Sequence, residues 1–161
     1  MTIKDIQRTK DRIRATGEVF TPLNLVDEIL DKLPEHVWES DQTFIDPSCG
    51  DGNFLVRVVA YKIHKGATVD QALSTTYGVE LMEDNASVCR RRVLVAAFAA
   101  QTYLKQNIDV LPHMTFEDEA QLLTRAEIAP FIRKYTPIVE KNIICHNSLT
   151  YCYRFGDAAD V

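Results

Sequence analysis

No apolar run in this 161-residue chain is long enough to cross a bilayer, and no signal-peptide pattern is visible. The nearest candidate, "LVAAFAA" at 94–100, is short and adjoins three arginines. Cysteine is scarce. The four thiols, Cys49, Cys89, Cys145 and Cys152, contain no Cys-x-x-Cys pair, which excludes a zinc ribbon or a dithiol redox motif. A cytoplasmic setting with reduced thiols is the expectation. Positive charge is in deficit: the net charge of −5 excludes an extensive phosphate-binding surface and leaves room only for a local basic patch. His113 and His146 have no visible partner in sequence, so no catalytic dyad and no metal set is assigned. Internal repeats and low-complexity segments are missing too. What remains is ordinary for one soluble domain, with 46% apolar and 25% charged residues.

Hydrophobic spacing divides the chain. Residues 1–16 carry five basic and two acidic side chains and read as a solvated helix or as an arm that touches a phosphate backbone or a partner. "TPLNLVDEILDKL" has helix grammar: Thr21 as cap, Pro22 in the first turn, and Leu23, Val26, Ile29, Leu30 and Leu33 along one face. A strand is expected at 43–46, a helix at 53–64 with Phe54, Leu55, Val58, Val59 and Ile63 inward, and a short helix at 69–75. A second strand follows at 76–81 and a long helix at about 83–105, interrupted by Arg90, Arg91 and Arg92. Residues 115–135 read as a helix or helix pair broken before Pro130, and 141–149 as a third strand ending near Cys145 or His146. Strands and helices thus alternate as βαβαβ, which predicts a parallel, doubly wound α/β sheet with its ligand at the carboxyl ends of the strands.

The first strand runs into a glycine loop, "FIDPSCGDGNFLVRVV" at 44–59. Gly50 and Gly52 permit a sharp turn and a close backbone approach, and the following helix presents free amides. Asp46 and Asp51 put negative charge at the same mouth, and the loop holds no lysine or arginine. A pyrophosphate suits this poorly. A ligand with a carboxylate for the amides and a cationic centre for the acids suits it better, and S-adenosylmethionine has both. Glu80, at the end of the second strand, is placed to accept ribose hydroxyls, with Leu81 and Met82 beside it for a flat ring. After the third strand, Asn147 reads equally well as a turn former or as an amide that meets the adenine edge, with Leu149 closing that pocket. Cys49 reads first as a small loop residue and second as a thiol activated by the helix N-terminus.

Four stretches in order resemble the cofactor half of the adenine-specific DNA methyltransferases, in particular those of restriction-modification systems. They are "TGEVFTP" at 16–22, "DPSCGDGNFL" at 46–55, "YGVELMEDN" at 77–85 and "IICHNSL" at 143–149. The resemblance implies a Rossmann-like methyltransferase fold, truncated to its cofactor-binding half, over 17–150. A basic arm or helix at 1–16 precedes it and a tail at 151–161 follows. It implies S-adenosylmethionine or S-adenosylhomocysteine as ligand. It places Phe20, Thr21 and Pro22 against the methionine end, Asp46, Ser48, Gly50, Gly52 and Phe54 in the glycine-loop motif, Glu80 at the ribose with Leu81 beside it, and Asn147, where an Asp is frequent, and Leu149 at the adenine.

The family's Asn/Asp-Pro-Pro-aromatic segment, which grips the flipped adenine, has no counterpart here, because the sequence contains no Pro-Pro. The amino group of adenine is a poor nucleophile and needs alignment and charge stabilisation for transfer. No catalytic residue is therefore assigned. Three readings stand: a binding module that holds the cofactor without transferring the methyl group, one part of a split adenine methyltransferase that reaches DNA through a partner, and a regulatory or anti-restriction interaction protein. In the family's strand order the first strand is central. Its open edge at 43–46 is therefore expected to be covered by a homodimer mate, a partner chain, or the tail returning as an extra strand. Tyr151, Tyr153 and Phe155 are expected to pack over that edge of the sheet.

Overall fold

The computed structural model describes residues 10–16, 18, 20–107 and 113–156. Residues 1–9 of the basic arm and 157–161 of the tail lie outside the described residues. The elements run α1 (Lys10–Thr16), α2 (Leu23–Leu30), β1 (Phe44–Asp46), α3 (Asn53–His64), α4 (Val69–Ser74), β2 (Thr76–Glu80), α5 (Glu83–Lys105), α6 (Phe116–Leu122), α7 (Ile128–Asn142) and β3 (Ile143–Cys145). A single 3-10 turn, Glu35–Trp38, follows α2. The three strands form one parallel sheet in the order β1-β2-β3, with Asp46 level with Gly78 and Glu80 level with Cys145.

The main core lies between the sheet and its helices. Phe44 and Ile143 from the strands meet Leu55, Val59 and Ile63 of α3, Val93, Ala97 and Ala100 of α5, and Val139 of α7. The alanines of α5 let it lie close along α3 and α7. A second cluster, Val26, Leu30, Trp38 and Val58, packs α2 on the other flank of α3. Because α3 is covered on two flanks, Val56, Arg57, Ala60 and Lys62 are buried as well as the expected inner face, whereas Phe54 is only partly buried. Full burial of Leu55 alone contributes roughly 1.5–3 kcal/mol.

Several expectations are corrected. The first long helix starts at Leu23 with Pro22 at its N-cap, so Thr21 does not cap it. The Thr21 carbonyl instead accepts from Asn53 Nδ2 at 2.8 Å. The helix ends at Leu30, short of Leu33. The third strand starts at Ile143 because α7 runs on to Asn142, through Pro137. Burial of Tyr135 and Val139 on the flanks of Pro137 offsets the missing backbone donor. Pro130 sits inside the first turn of α7, where a proline is tolerated, and the break in this region falls at 123–127 instead.

A doubly wound sheet needs a reversal of strand order, and an order of 1-2-3 has none. Among the described residues the helical core meets one face of the sheet, that of Phe44 and Ile143. Ile45, on the opposite face, is 45% exposed. Tyr77 on that face is met by Phe155, ring centres 4.6 Å apart. The segment 151–156 therefore returns to the sheet as expected of its aromatics, but over a face and without strand pairing. β1 stands at one edge of the sheet among the described residues. No described helix is long and apolar enough to cross a membrane.

Candidate functional site

The carboxyl ends of β1, β2 and β3 bring together the loop at 47–52, Glu80 and the turn that starts at His146. Gly50 has φ +57° and Gly52 φ +99°, both left-handed. A Cβ on Gly50 would lie 2.9 Å from Cε1 of Phe20, so the ring of the N-terminal segment rests directly on the loop. Glu80 ties the parts together. Its Oε2 accepts from Gly50 N at 2.8 Å, its Oε1 from Met82 N at 3.1 Å, and its carbonyl from His146 N at 2.9 Å. A carboxylate offers about four lone-pair positions, so two remain for a ligand.

A cleft of about 210 Å³ opens over this junction. Phe20, Ser48, Gly50, Glu80, Leu81, Asn147 and Leu149 line it, as does Met82 beside Leu81. The other expected residues stand behind its wall. Thr21 and Pro22 lead into α2, Gly52 is the N-cap of α3, and Phe54 packs against the second cluster. Asp46 accepts from Ser48 N at 3.0 Å, which shapes the turn, and burial pushes its carboxyl above the usual range. Thr16, Glu18, Pro47, Asn85 and Ser148 also line the cleft and were not singled out. All five lie inside the stretches quoted above. Thr16 and Glu18 belong to "TGEVFTP", so the signal was the stretch itself rather than its Phe-Thr-Pro end.

The charge reading of the loop is corrected in one respect. Asp51 does not face the mouth. It is 5% exposed and turns inward to Arg92 of α5, whose Nη1 lies 3.3 Å from Asp51 Oδ1. The same guanidinium donates to the Asp51 carbonyl at 2.9 Å, to Asn53 Oδ1 at 2.8 Å and to Glu119 Oε1 at 3.0 Å. An arginine distant in sequence therefore offsets the acid that the loop itself leaves unpaired. This also explains one of the three arginines in the apolar helix. A second, Arg90, donates to the Ile143 carbonyl at 2.7 Å. The neighbouring Cys89 thiol, together with burial, pushes the Cys49 thiol up, so Cys49 is a protonated packing residue rather than an activated thiol.

The amides of the loop itself are occupied within the protein. Ser48 N goes to Asp46, Cys49 N to the Val79 carbonyl, Gly50 N to Glu80 and Gly52 N to the Cys49 carbonyl. The acids at this end of the sheet fold the loop onto itself. One arginine of the basic arm is committed as well. Arg12 of α1 reaches Asp84 in the first turn of α5 and Glu18 beside the cleft. α1 thereby holds the cleft-lining Thr16 and Glu18 against the body of the domain.

Among the described residues the lining carries Glu18 and Glu80 and no lysine or arginine. Such a donor set disfavours a polyphosphate and fits a ligand with hydroxyls, a flat ring and a positive centre. Glu80 could accept hydroxyls of such a ligand, and Leu81, Met82 and Leu149 could face its ring. No cluster of three potential metal ligands occurs among the described residues. No curated protein and no solved structure matches the chain significantly. The N-6 DNA Methylase family profile matches residues 6–150, most of the chain, and covers every element that builds the cleft. That family typically uses S-adenosylmethionine and has a Rossmann-like methyltransferase fold, in keeping with the three-stranded parallel sheet. The chain belongs to the N-6 DNA methylase family.

Proposed function

We propose that these residues form the S-adenosylmethionine-binding half of a DNA adenine methyltransferase, and that methyl transfer needs groups from outside the 161 residues. One observation carries the reading. Glu80, the Gly50 loop, Phe20 and Asn147 come from four separated stretches and line one cleft at the carboxyl ends of three parallel strands. Two carboxylates and, among the described residues, no lysine or arginine line it, which matches a sulfonium cofactor better than a nicotinamide dinucleotide.

Transfer to an adenine amino group requires a flipped base held in line with the methyl group. Among the described residues the rings that line the cleft are Phe20, which rests on Gly50, and His146. The sequence holds no Pro-Pro-aromatic segment. A second polypeptide segment would supply the grip on the base. The open edge of β1 and the exposed Ile45 give that segment a place to join the sheet by strand addition.

Titration calorimetry with S-adenosylmethionine and S-adenosylhomocysteine tests the binding half of this reading. One-to-one binding that is lost in Glu80→Ala supports it, and no heat with either compound rejects it. Radiolabelled methyl transfer tests the other half. Adenine methylation of DNA is expected only after a chain bearing the Asn/Asp-Pro-Pro-aromatic segment is added. Methylation by this chain alone would show that the grip on the base lies within it.

A further inference from the structure

We infer that a small cavity behind the glycine loop is an internal hydration site, in which a bound water bridges Glu119 to Arg92 and completes an ion pair that the two side chains make through one hydrogen bond only. The site is separate from the cleft and does not rest on the cofactor reading.

Two arginines on neighbouring helices treat their acids differently. Arg57 of α3 meets Asp27 as a fork: Nε donates to Oδ1 at 2.7 Å and Nη2 to Oδ2 at 3.0 Å. Arg92 of α5 meets Glu119 with one prong. Its Nε donates to Oε1 at 3.0 Å, while its Nη1 is turned to the Asp51 carbonyl and to Asn53 Oδ1 at the base of the glycine loop. Nη2 has no acceptor among the described residues. Glu119 is 1% exposed, and its Oε2 is buried with no hydrogen-bond partner. In a guanidinium the Nε–H and one Nη2–H point the same way, as the Arg57 fork shows. The unused donor of Arg92 therefore lies on the same side as the unused acceptor of Glu119. A buried carboxylate oxygen without a donor is costly, so a group that satisfies both atoms is favoured.

Both side chains line a cavity of about 30 Å³ between α3, α5 and α6, walled otherwise by apolar groups such as Val56, Ala60, Ala96 and Ala99. A water needs about 10–15 Å³ of such space, so the cavity seats about two. The charges narrow the occupant. A metal cation would meet one carboxylate and two guanidiniums, those of Arg92 and Arg57. An anion would meet the carboxylate oxygen. A proton on Oε2 would only turn an unpartnered acceptor into an unpartnered donor. Water donates to Oε2 and accepts from Nη2 at once. Because the same guanidinium holds the Asp51 carbonyl and Asn53, this water ties α6 to the base of the glycine loop.

Two measurements on the full chain test the site. A high-resolution crystal structure is expected to show an ordered water about 2.6–3.2 Å from both Glu119 Oε2 and Arg92 Nη2. An empty cavity, or Nη2 closed directly onto Oε2, overturns the inference. In solution, nuclear Overhauser transfer from water to the methyl groups of Ala96 and Ala99 is expected in wild type, and its absence overturns the inference equally. Ala96→Val fills the cavity with methyl groups and should abolish the transfer to Ala99 in the folded variant. Transfer that persists unchanged there would put the water outside the cavity and sink the proposal. Should overpacking unfold the variant, the two wild-type measurements decide by themselves.

Discussion

Arg12 grips Asp84 with both terminal nitrogens, Nη1 to Oδ2 at 2.5 Å and Nη2 to Oδ1 at 2.8 Å, while its Nε meets Glu18 Oε1 at 2.6 Å. One side chain thus joins α1, the cleft-lining segment after it and the first turn of α5. The two acids raise the Arg12 pKa still further, so the guanidinium is charged at every working pH. The cluster is a fifth or more open to solvent at Arg12 and Asp84, which keeps its effect on global stability to about 1 kcal/mol or less. Its effect on the cleft is expected to be larger. Arg12→Gln should weaken S-adenosylmethionine binding about tenfold, a loss near 1.4 kcal/mol, with little change in melting temperature. Limited proteolysis checks the cause: cleavage near residues 17–19 should accelerate in the variant and slow again when ligand is saturating.

Arg92 bears on stability instead. It is 3% exposed and faces both Asp51 and Glu119, which are 5% and 1% exposed. Removing one partner of a buried ion pair leaves the other charge uncompensated, and Arg92→Met is expected to cost roughly 3–5 kcal/mol in denaturant unfolding. Burial already pushes the Glu119 carboxyl up against the opposing pull of Arg92. Glu119→Gln added to Arg92→Met should therefore restore part of the loss. Additive losses in the double-mutant cycle would show that the two groups do not act as a pair.

Lys62 carries a pH dependence with a definite sign. It is buried under the start of β2, where its Nζ donates to Thr75 Oγ1 at 2.8 Å and Thr76 Oγ1 at 3.0 Å, both neutral oxygens. Burial lowers its pKa from 10.5 to about 8. Between those values the unfolded chain binds more protons at this site than the folded one, so stability rises with pH. The stability of wild type relative to Lys62→Met should accordingly increase from pH 8 to 10.5, by roughly 1–3 kcal/mol, and be flat below pH 8. Chemical denaturation at fixed pH steps measures it; a difference that falls over this interval would contradict the assignment.

These cases also show which parts of the molecule were legible in the sequence. The strand at Phe44–Asp46 and the helices α3, α4 and α5 follow from local periodicity, and glycine and acid positions located the cleft. Local patterns carry no information about Asp51 turning to Arg92, because that pairing spans 41 residues and depends on how α5 lies beneath the loop. The same holds for Arg12 and Asp84, 72 residues apart. A basic arm and an acidic helix start each look solvated alone, and only the fold makes them a pair. The single helical face escaped for another reason: alternation of strands and helices is common to one-sided and two-sided windings, and only the strand order separates them.

Glu80 joins the loop to the strand and is the proposed seat of the ligand, so its replacement should separate the roles. Glu80→Gln keeps one oxygen for a backbone amide, but its nitrogen cannot accept from the other. Gly50 N or Met82 N then loses its acceptor, and the loop loses the charge that orders it. Charge-assisted bonds of this kind contribute about 1.5–3 kcal/mol each. The expected result is a ten- to hundredfold weaker S-adenosylmethionine affinity, with a modest fall in stability. Gly50→Ala attacks the same contact from the opposite side. A methyl group there meets Phe20 at 2.9 Å and the backbone stays at φ +57°, which together should cost about 1–2 kcal/mol of stability and displace the ring from the cleft wall. If affinity survives both changes, the ligand does not rest on the Glu80–Gly50 junction and the site lies elsewhere on the sheet. If both weaken binding and Glu80→Gln does so without unfolding the chain, the ligand rests on the Glu80–Gly50 junction.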